Sequence, residues 1–240
     1  MIYFLVCAYN EEVNIVEVIN SIRQLMRNYK IVVVNDGSTD NTKYVLEKLL
    51  LDDIFVIHHV RNLGLGFALR TGFKYIIPKL SSQDVVVTLD ADNTHPIELV
   101  WYMLKKFEEG YDIVIASRYC FGAKQIGVVW YRKLFSYLAK IFLKFLFPYP
   151  NLKDYTTGYR LYSGKILLQA NDEYKEKFIT QRNFVVQLEI LLKLLKFKPK
   201  ICEVPLKLKY YKKYGKSKLK LVKNILSYFN FIVKYLTYEN

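Results

Sequence analysis

Two aspartates separated by one residue follow an apolar, β-branched run near the middle of the chain. The run at 84–90 predicts a buried strand that ends at Asp90, with Asp92 two positions further on. Residues i and i+2 of an extended backbone point the same way, so both carboxylates can reach one hard divalent cation. An Asp-x-Asp sequence can also simply end a strand in a turn. The spacing therefore predicts either a metal site or a strand-ending turn.

Two further polar clusters follow apolar runs earlier in the sequence. Ala8 to Glu12 follows the run from Ile2 to Val6, and Asn35 to Asp40 follows the run from Ile31 to Val34. The carboxyl ends of parallel strands meet at one edge of a sheet, which is where open α/β sheets bind ligands. Three such clusters predict one polar crevice and favour the metal-site interpretation of Asp90 and Asp92.

The elements that must position these residues alternate between strand and helix patterns. This alternation predicts an α/β fold with a mainly parallel central sheet flanked by helices. The predicted strands span 2–7, 31–35, 54–59, 84–90 and 112–117, and the predicted helices span 11–28, 40–51, 65–79 and 96–109. Beyond Arg118 the chain is richer in lysine and aromatic residues, and two amphipathic helices are predicted, at about 130–147 and at 219–240.

Length and composition favour one catalytic domain, 1–218, followed by the amphipathic C-terminal helix. The 240 residues are 52% hydrophobic, enough for one substantial core. Three widely spaced cysteines suggest a reducing compartment rather than a disulfide framework. The apolar start, Ile2 to Cys7, has no basic flank and is predicted to be a strand rather than a signal peptide. No apolar run approaches about 18 residues, so no membrane-spanning helix is predicted.

The charge of the chain is strongly positive. Its formal net charge is +14, and residues 193–223 hold twelve lysines against Glu203 alone. The apolar stripes of the two amphipathic helices can pack on the protein's own core, or they can rest on an anionic leaflet with the lysines at the lipid headgroups. Nucleic acid is a competing partner, but the excess is almost entirely lysine and no nucleic-acid-binding motif accompanies it. Peripheral membrane association is therefore favoured over nucleic-acid binding.

Seven short motifs follow one another along most of the chain. They are Tyr9-Asn10-Glu11, Val34-Asn35-Asp36-Gly37-Ser38, Leu63-Gly64-Leu65-Gly66, Asp90-Ala91-Asp92, Ser117-Arg118-Tyr119, Asp154-Tyr155-Thr156-Thr157-Gly158-Tyr159-Arg160 and Gly215-Lys216-Ser217-Lys218. In this order they resemble the family 2 glycosyltransferases of the GT-A fold, in particular the dolichol-phosphate mannosyltransferase branch. The resemblance implies an inverting, metal-dependent transfer of a hexose from a nucleotide sugar to a polyprenyl phosphate.

The donor side of the site follows from this resemblance. It implies Mg²⁺ or Mn²⁺ held by oxygen ligands that stabilise the leaving diphosphate, with GDP-mannose as the donor. The implied metal ligands are Asp90, Asp92 and Asn93. The implied nucleotide-binding residues are Ala8, Tyr9, Glu11, Asp36, Asp90, Lys212 and Lys218. Leu63-Gly64-Leu65-Gly66 could let the backbone approach the donor.

The resemblance also implies an acceptor site for dolichyl or polyprenyl phosphate at the cytoplasmic face of a membrane. Arg118, Arg132 and Ser136 would hold the acceptor phosphate, since the arginine fork grips phosphate in a bidentate way. The segment 119–129 would be a mobile acceptor loop. Asp154 would be a base or orienting group, or else a structural aspartate, so the implied catalytic residues are Asp92, Asp154, Arg118 and Arg132. Arg160 would brace the fold.

The sequence departs from the family pattern at three positions. Cys7 replaces an expected proline, Lys212 an expected arginine, and Lys216 an expected acidic residue. These departures leave GDP and UDP open, so a UDP-glucose or UDP-N-acetylglucosamine enzyme with the same lipid acceptor is the alternative. A soluble transferase acting on a glycan, or a non-enzymatic basic membrane- or nucleic-acid-binding protein on a GT-A scaffold, also remains open. A membrane subunit is a possible partner.

The three histidines offer no metal-ligand spacing. His58 and His59 lie at the end of a predicted strand, and His95 precedes Pro96 at a predicted helix start. Capping or loop roles are predicted for all three.

Overall fold

The computed structural model describes residues 1–25, 27–212 and 221–238. Its strands are β1 (Ile2–Ala8), β2 (Tyr29–Asn35), β3 (Ile54–His58), β4 (Val85–Asp90), β5 (Ile113–Ser117), β6 (Lys124–Ile126), β7 (Arg160–Ser163), β8 (Ile201–Pro205) and β9 (Lys207–Lys209). Its α-helices are α1 (Ile15–Leu25), α2 (Thr42–Lys48), α3 (Leu65–Ile76), α4 (Leu99–Glu108), α5 (Trp130–Leu146), α6 (Gly164–Tyr174), α7 (Val186–Leu195) and α8 (Leu221–Tyr238). Short 3₁₀ helices span Ile77–Lys79, Lys175–Lys177 and Tyr210–Lys212.

A seven-stranded sheet forms the centre of the molecule, in the order β3-β2-β1-β4-β7-β5-β8. All neighbouring pairs are parallel except those of β7, which runs antiparallel between β4 and β5. The predicted α/β architecture with a mainly parallel sheet is thereby confirmed. The strands β6 and β9 form a separate parallel pair beside it. The antiparallel β7 lies beyond the part of the chain for which strands were predicted.

The register of the sheet brings the predicted polar clusters together. Ala8 pairs with Asn35, and Cys7 pairs with Asp90, so β1, β2 and β4 end at the same edge. A strand edge of this kind exposes the side chains that follow each strand to one crevice.

Two apolar layers cover the faces of the sheet. Alternate residues of β1 point to opposite faces, so that Leu5 belongs to one buried cluster while Phe4 and Val6 belong to the other. Helices α3, α6 and α7 contribute to the first cluster, and α1 and α4 to the second. Apolar area removed from water in these layers holds the helices on the sheet.

The two amphipathic helices differ in how they meet this core. Of the 17 residues of α5, only Leu143 is buried. On α8, Phe231, Ile232 and Tyr235 are buried in the first core cluster, so this helix packs in part on the protein itself. Other apolar residues of both helices are exposed: Leu134, Leu138, Ile141, Phe142, Phe145, Ile225, Leu226, Phe229, Val233 and Leu236. No helix in the described part of the chain is long and apolar enough to cross a bilayer.

The segment 119–129, predicted to be a mobile acceptor loop, contains a short strand. Its strand β6 pairs in parallel with β9, from Lys124 opposite Lys207 to Ile126 opposite Lys209. Backbone hydrogen bonds therefore hold the middle of this segment, and its mobility stays a prediction. The helix α1 also begins later than predicted, at Ile15, because the residues before it form a turn that follows Asn10 at a φ of 52°.

Candidate functional site

A cavity of about 1040 Å³ opens at the edge where β1, β2 and β4 end. The residues predicted from the sequence that line it are Ala8, Tyr9, Glu11, Asp36, Asp90, Asp92, Arg118 and Arg132. Sequence reasoning missed others that line the same cavity: Thr94, His95, Arg182, Asn183, Gln187, Tyr210 and Asn224. Acidic groups near the ends of β1, β2 and β4 and basic groups from residue 118 onward thus share one space.

Asp90 and Asp92 enter the cavity from the end of β4. The Thr94 hydroxyl donates to Asp92 Oδ1 at 2.7 Å, and the Thr94 backbone N–H lies 3.2 Å from the same oxygen. This is a tight turn that fixes the carboxylate. The Asp90 backbone N–H donates to His95 Nδ1 at 3.3 Å, and His95 Nε2 lies 3.8 Å from Asp90 Oδ2. His95 is stacked on Tyr159, with ring centroids 4.8 Å apart, so its ring is held beside the pair.

The donor set at this point suits a hard divalent cation. Asp90, Asp92 and the Thr94 hydroxyl offer oxygen atoms, which Mg²⁺ and Mn²⁺ prefer. Within residues 1–25, 27–212 and 221–238, no group of three histidine, cysteine, aspartate or glutamate side chains that could hold a metal is found. Two carboxylates are therefore the acidic part of any metal site here.

Asn93 is placed differently from the two aspartates. It adopts a φ of 58°, and its contact with Glu17 of α1 lowers the pKa of that glutamate. Asn93 is not among the described residues that line the cavity. Its role as a metal ligand stays a prediction.

The same glutamate holds one of the predicted donor lysines. Lys212 Nζ lies 3.1 Å from Glu17 Oε1, and Lys212 is not among the described residues lining the cavity. The hydrogen bonds from Asn93 and Lys212 lower the pKa of Glu17. In this arrangement Lys212 binds α1 rather than the cavity. Lys218, the other predicted donor lysine, and Lys216 lie outside the described residues.

Asp36 is held by contacts that the sequence did not reveal. Its Oδ1 accepts from the Leu63 N–H at 2.9 Å and lies 2.7 Å from His59 Nδ1, while Oδ2 accepts from the Gly64 N–H at 2.8 Å. A carboxylate oxygen accepts, so His59 Nδ1 donates to Asp36, and His59 Nε2 is hydrogen-bonded to the Thr71 hydroxyl at 2.9 Å. His59 was predicted to have only a capping or loop role. It does not itself line the cavity, but it holds Asp36, which does.

The cluster after β1 is braced against the cluster after β2. Glu11 accepts from the Asn14 amide at 2.7 Å, and its backbone N–H donates to the Thr42 hydroxyl at 2.9 Å. The Asn10 side chain accepts from the Thr39 N–H at 2.7 Å. These bonds give Tyr9 and Glu11 a fixed place at the cavity edge.

An added Cβ at either glycine of the Leu63-Gly64-Leu65-Gly66 motif would meet protein backbone, while Gly64 and Leu65 also line the cavity. A Cβ on Gly66 would stand 1.7 Å from the Gln181 carbonyl oxygen, and one on Gly64 would stand 2.6 Å from the Arg182 carbonyl oxygen. The Arg182 side chain in turn donates to the Leu63 carbonyl at 2.6 Å. The motif therefore lets the chain at 181–182 pack against the start of α3.

Arg118 and Asp154 form a buried ion pair on the other side of the cavity. Arg118 donates from Nε and Nη2 to the two Asp154 oxygens at 2.8 and 2.7 Å, and from Nη2 to the Thr156 hydroxyl at 2.6 Å. Burial opposes the charge of both groups, but their mutual attraction prevails. It raises the pKa of Arg118 and lowers the pKa of Asp154. Asp154 is wholly buried and does not line the cavity among its described residues.

Glu203 of β8 supports Asp154 from behind. Its Oε1 accepts the backbone N–H groups of Lys153 and Asp154, both at 2.6 Å. Burial, and to a smaller extent the charge of Asp154, raise the pKa of Glu203. No local sequence pattern indicates this contact, because Glu203 is about 50 residues away from the backbone it binds.

Arg132 and Ser136, one turn apart on α5, behave differently. Arg132 lines the cavity, and its Nη1 donates to the Tyr210 hydroxyl at 2.8 Å. The Ser136 hydroxyl is hydrogen-bonded to the Tyr119 hydroxyl, and Ser136 is not among the described residues lining the cavity. The predicted acceptor group is thus assembled only in part.

Arg160 lies wholly in the interior. Its guanidinium donates to the Gln187 carbonyl at 2.7 Å and to the Tyr155 carbonyl at 2.8 Å. These bonds join β7 to the start of α7 and to the chain before β7, as expected of a residue that braces the fold.

The architecture and the strand-end cavity define an α/β protein of the GT-A type. Residues 3–169 match the family model described as Glycosyl transferase family 2, and the chain belongs to this family. This confirms the resemblance of the ordered motifs.

Two relatives carry names that describe lipid-phosphate mannosyl transfer. The chain is 32% identical over 235 residues to the dolichol-phosphate mannosyltransferase of Pyrococcus furiosus, covering 96% of this chain and 62% of that protein. It is 27% identical over 201 residues to the polyprenol monophosphomannose synthase of Mycolicibacterium smegmatis, covering 82% and 73%. The chain thus spans less than two thirds of the Pyrococcus protein.

A solved structure shares the fold. Glucosyl-3-phosphoglycerate synthase from Mycobacterium tuberculosis, in complex with Mn²⁺, uridine diphosphate and phosphoglyceric acid, superimposes with a TM-score of 0.67. The likeness covers 98% of this chain and 77% of that one at 20% identity. At this identity it shows the common fold alone.

Proposed function

We propose that this protein is an inverting glycosyltransferase that moves a hexose from a nucleotide sugar to a polyprenyl or dolichyl phosphate, with mannose from GDP-mannose as the favoured donor. The observation that carries the proposal is the meeting of Asp90 and Asp92 with Arg118 and Arg132 in one cavity. Acidic residues suit a metal and a leaving diphosphate, and arginines suit a second phosphate. The names of the Pyrococcus and Mycolicibacterium relatives support the lipid acceptor.

The metal is proposed to be Mg²⁺ or Mn²⁺. Asp90, Asp92 and the Thr94 hydroxyl would hold it, and when bound it stabilises the negative charge that develops on the leaving diphosphate. The Thr94 contact orients the Asp92 carboxylate, and His95 holds the backbone at Asp90. The Mn²⁺ in the complex of the mycobacterial synthase supports this assignment.

The nucleoside end of the donor is assigned to the wall after β1 and β2. Tyr9 offers an aromatic surface, and Glu11 offers a hydrogen-bond acceptor for a base or ribose. Asp36 already accepts from two backbone N–H groups and a histidine, so its main task is to shape the loop before α3. Cys7 lines this end of the cavity, and burial keeps its pKa raised and its thiol neutral.

The acceptor phosphate is assigned to Arg118 and Arg132. A phosphomonoester has a second pKa of about 6 and is largely dianionic at neutral pH, so it needs positioning more than activation. Asp154 is proposed to position Arg118 rather than to accept a proton, because it is buried, ion-paired and has a lowered pKa. Direct displacement by the phosphate inverts the sugar carbon.

Peripheral association with the cytoplasmic face of a membrane is proposed to bring the lipid to this site. The exposed apolar residues of α5 lie among Lys133, Lys140 and Lys144 on the same helix. Apolar side chains can enter the headgroup region while each nearby lysine adds about 1 kcal/mol on an anionic leaflet. The division into a domain at 1–218 and a helix at 219–240 falls inside the undescribed segment 213–220 and stays a prediction.

The test is transfer of radiolabelled sugar from a panel of GDP- and UDP-sugars into organic-extractable lipid. The purified chain would be supplied with polyprenyl phosphate and either Mg²⁺ or Mn²⁺. We expect labelling from GDP-mannose that EDTA abolishes. Labelling from a UDP-sugar alone would replace the donor assignment, and labelling of no lipid despite nucleotide binding would overturn the acceptor assignment.

A single substitution tests the metal-binding pair. Asp92→Asn removes one negative ligand but keeps the shape of the side chain, so we expect transfer to fall about 100-fold or more. The matched control is Asp172→Asn, which neutralises an exposed aspartate on α6. Transfer by Asp92→Asn at the level of this control would refute the metal assignment.

A further inference from the structure

The helix α5 carries a cavity residue but is poorly anchored. Arg132 lies in its first turn and lines the cavity, yet Leu143, near the other end, is the one residue of α5 that is buried. Trp130 and Phe142 are 74% and 48% exposed. Core packing therefore does not fix the first three turns of the helix, and polar contacts must do so.

Arg118, in contrast, is carried by a rigid element. It follows β5, which pairs with β7 and β8 inside the sheet, and its guanidinium is held by Asp154 and Thr156. Two arginines that would grip one phosphate thus come from elements with very different anchoring. Such a grip requires the two groups to stay within about 0.5 Å of their proper spacing.

Tyr119 connects the two elements. It follows Arg118 in the chain, and the Arg118 Cζ lies 5.3 Å from the centre of its ring. Its hydroxyl is hydrogen-bonded to the hydroxyl of Ser136 on α5, and Lys140 Nζ, one turn further, lies 5.0 Å from the ring. Burial raises the pKa of the Tyr119 hydroxyl, which keeps it neutral and able to donate. Tyr119 therefore contacts one cation on the sheet and one on the helix.

Arg132 has a second support that runs through the same segment. It donates to the hydroxyl of Tyr210, which directly follows β9, and β9 pairs with β6 of the segment 119–129. This contact orients the Arg132 guanidinium. The contacts of Tyr119 with Ser136 and Lys140 tie the α5 backbone to the end of β5.

We propose that Tyr119 is a positioning residue for the acceptor site: through Ser136 it holds the start of α5, and hence Arg132, at the distance from Arg118 that one phosphate requires. The inference rests on the proposed function of the two arginines. It also assigns Ser136 a role through Tyr119, instead of the direct phosphate contact that the family resemblance implies.

The first measurement is kinetic and uses the full chain. Tyr119→Phe removes only the hydroxyl and keeps the ring against Arg118, whereas Ser136→Ala removes the other partner. We expect either change to raise the KM for polyprenyl phosphate about three- to tenfold while the KM for the sugar donor stays within about twofold. The double variant should be no worse than either single one, because both break the same bond.

The matched control is Tyr102→Phe, which removes an exposed hydroxyl from α4, far from the acceptor arginines in sequence. It should leave both KM values and the melting temperature unchanged. A raised acceptor KM in Ser136→Ala but not in Tyr119→Phe would overturn the proposal in favour of direct phosphate contact by Ser136. Equal rises in donor and acceptor KM would reduce Tyr119 to a general structural role and overturn it as well.

The second measurement does not depend on transfer. Hydrogen–deuterium exchange of the backbone amides at 130–140 should become faster in Tyr119→Phe and in Ser136→Ala than in the parent chain or Tyr102→Phe. Unchanged exchange there would refute the positioning role even if the kinetics changed. If exchange became faster but the parent chain transferred no sugar to polyprenyl phosphate, the proposed acceptor would be wrong and the contact between Tyr119 and α5 would stand.

Discussion

At the scale of single residues, Arg118 is held at the cavity by two successive supports. Arg118 faces the cavity, Asp154 holds Arg118, and Glu203 holds the backbone of Asp154. Asp154 and Glu203 are both shielded from water, but their pKa values shift in opposite directions. At Asp154 the attraction of Arg118 outweighs burial and lowers the pKa, whereas at Glu203 burial raises the pKa.

Removal of the Asp154 charge should weaken both fold and acceptor binding. Asp154→Asn leaves Arg118 largely buried without its counter-ion, which should lower the free energy of unfolding by about 3 kcal/mol. Urea unfolding at pH 7 measures this loss, with Asp172→Asn as the exposed control. The acceptor KM should rise while the donor KM holds. Loss of the acidic limb of the pH–rate profile with an unchanged acceptor KM would instead identify Asp154 as a base.

Glu203 should give stability an unusual dependence on pH. Its pKa is raised in the folded chain, so the folded state holds the proton more tightly than the unfolded state. The contribution is complete below the unfolded pKa of about 4.3 and is lost as pH rises through the folded pKa. Glu203→Gln mimics the neutral acid and still accepts both N–H groups. We therefore expect its unfolding free energy, relative to the parent chain, to increase between pH 4.5 and pH 7.

Urea unfolding at several pH values measures this difference. The prediction would be contradicted if the unfolding free energies of Glu203→Gln and the parent chain changed in parallel with pH. Such parallel changes would mean that Glu203 titrates alike in the folded and unfolded states.

At the scale of elements, the start of α3 depends on close packing against the chain at 181–182. Two more contacts secure that chain, because Glu189 of α7 accepts the N–H groups of Thr180 and Gln181 at 3.0 and 2.9 Å. Lys193 pairs with the same glutamate at 2.8 Å. A buried ion pair on α7 thereby fixes residues 181–182, against which Gly64 and Gly66 pack.

The substitution Gly66→Ala separates local propensity from packing. Alanine is favoured over glycine inside a helix by about 1 kcal/mol, so propensity alone predicts a more stable protein. The added Cβ would meet the Gln181 carbonyl at 1.7 Å, and this oxygen belongs to backbone that cannot easily move. We expect a net loss of about 1–3 kcal/mol in urea unfolding. A gain of stability would show that the segment at 181–182 yields freely.

At the scale of the whole molecule, many exposed apolar side chains lie on α5 and α8, which come after β5 and Arg118 in the chain. Phe145→Glu places a negative charge at a residue of α5 that is 81% exposed. We expect it to reduce sedimentation with vesicles containing about 30% anionic lipid, and added salt to weaken binding of the parent chain further. Tyr102→Glu on α4 is the control. Equal binding of both variants would contradict docking through α5.

Much of this arrangement could be predicted from local sequence patterns. Asp90, Asp92 and Arg118 each follow an apolar run, and a run of that kind ends at the sheet edge in a parallel fold. The left-handed backbone of Asn93 and the contact between His59 and Asp36 could not be predicted in this way, since they depend on residues from other elements. The small number of buried residues on α5 could not be predicted either, because an amphipathic pattern does not show which surface packs against its apolar face.

The direction of β7 and its late place in the chain bear on how the cavity is assembled during synthesis. A parallel strand brings its end to the edge where ligands bind, but β7 brings its beginning there, so that Thr156 and Gly158 reach the cavity from the preceding chain. The pairing of β1 with β2 and β4 needs only the first 90 residues, whereas the neighbours of β5 come from residues 160–205. In a chain leaving the ribosome, β1, β2 and β4 are therefore complete before the strands that neighbour β5 have been synthesised.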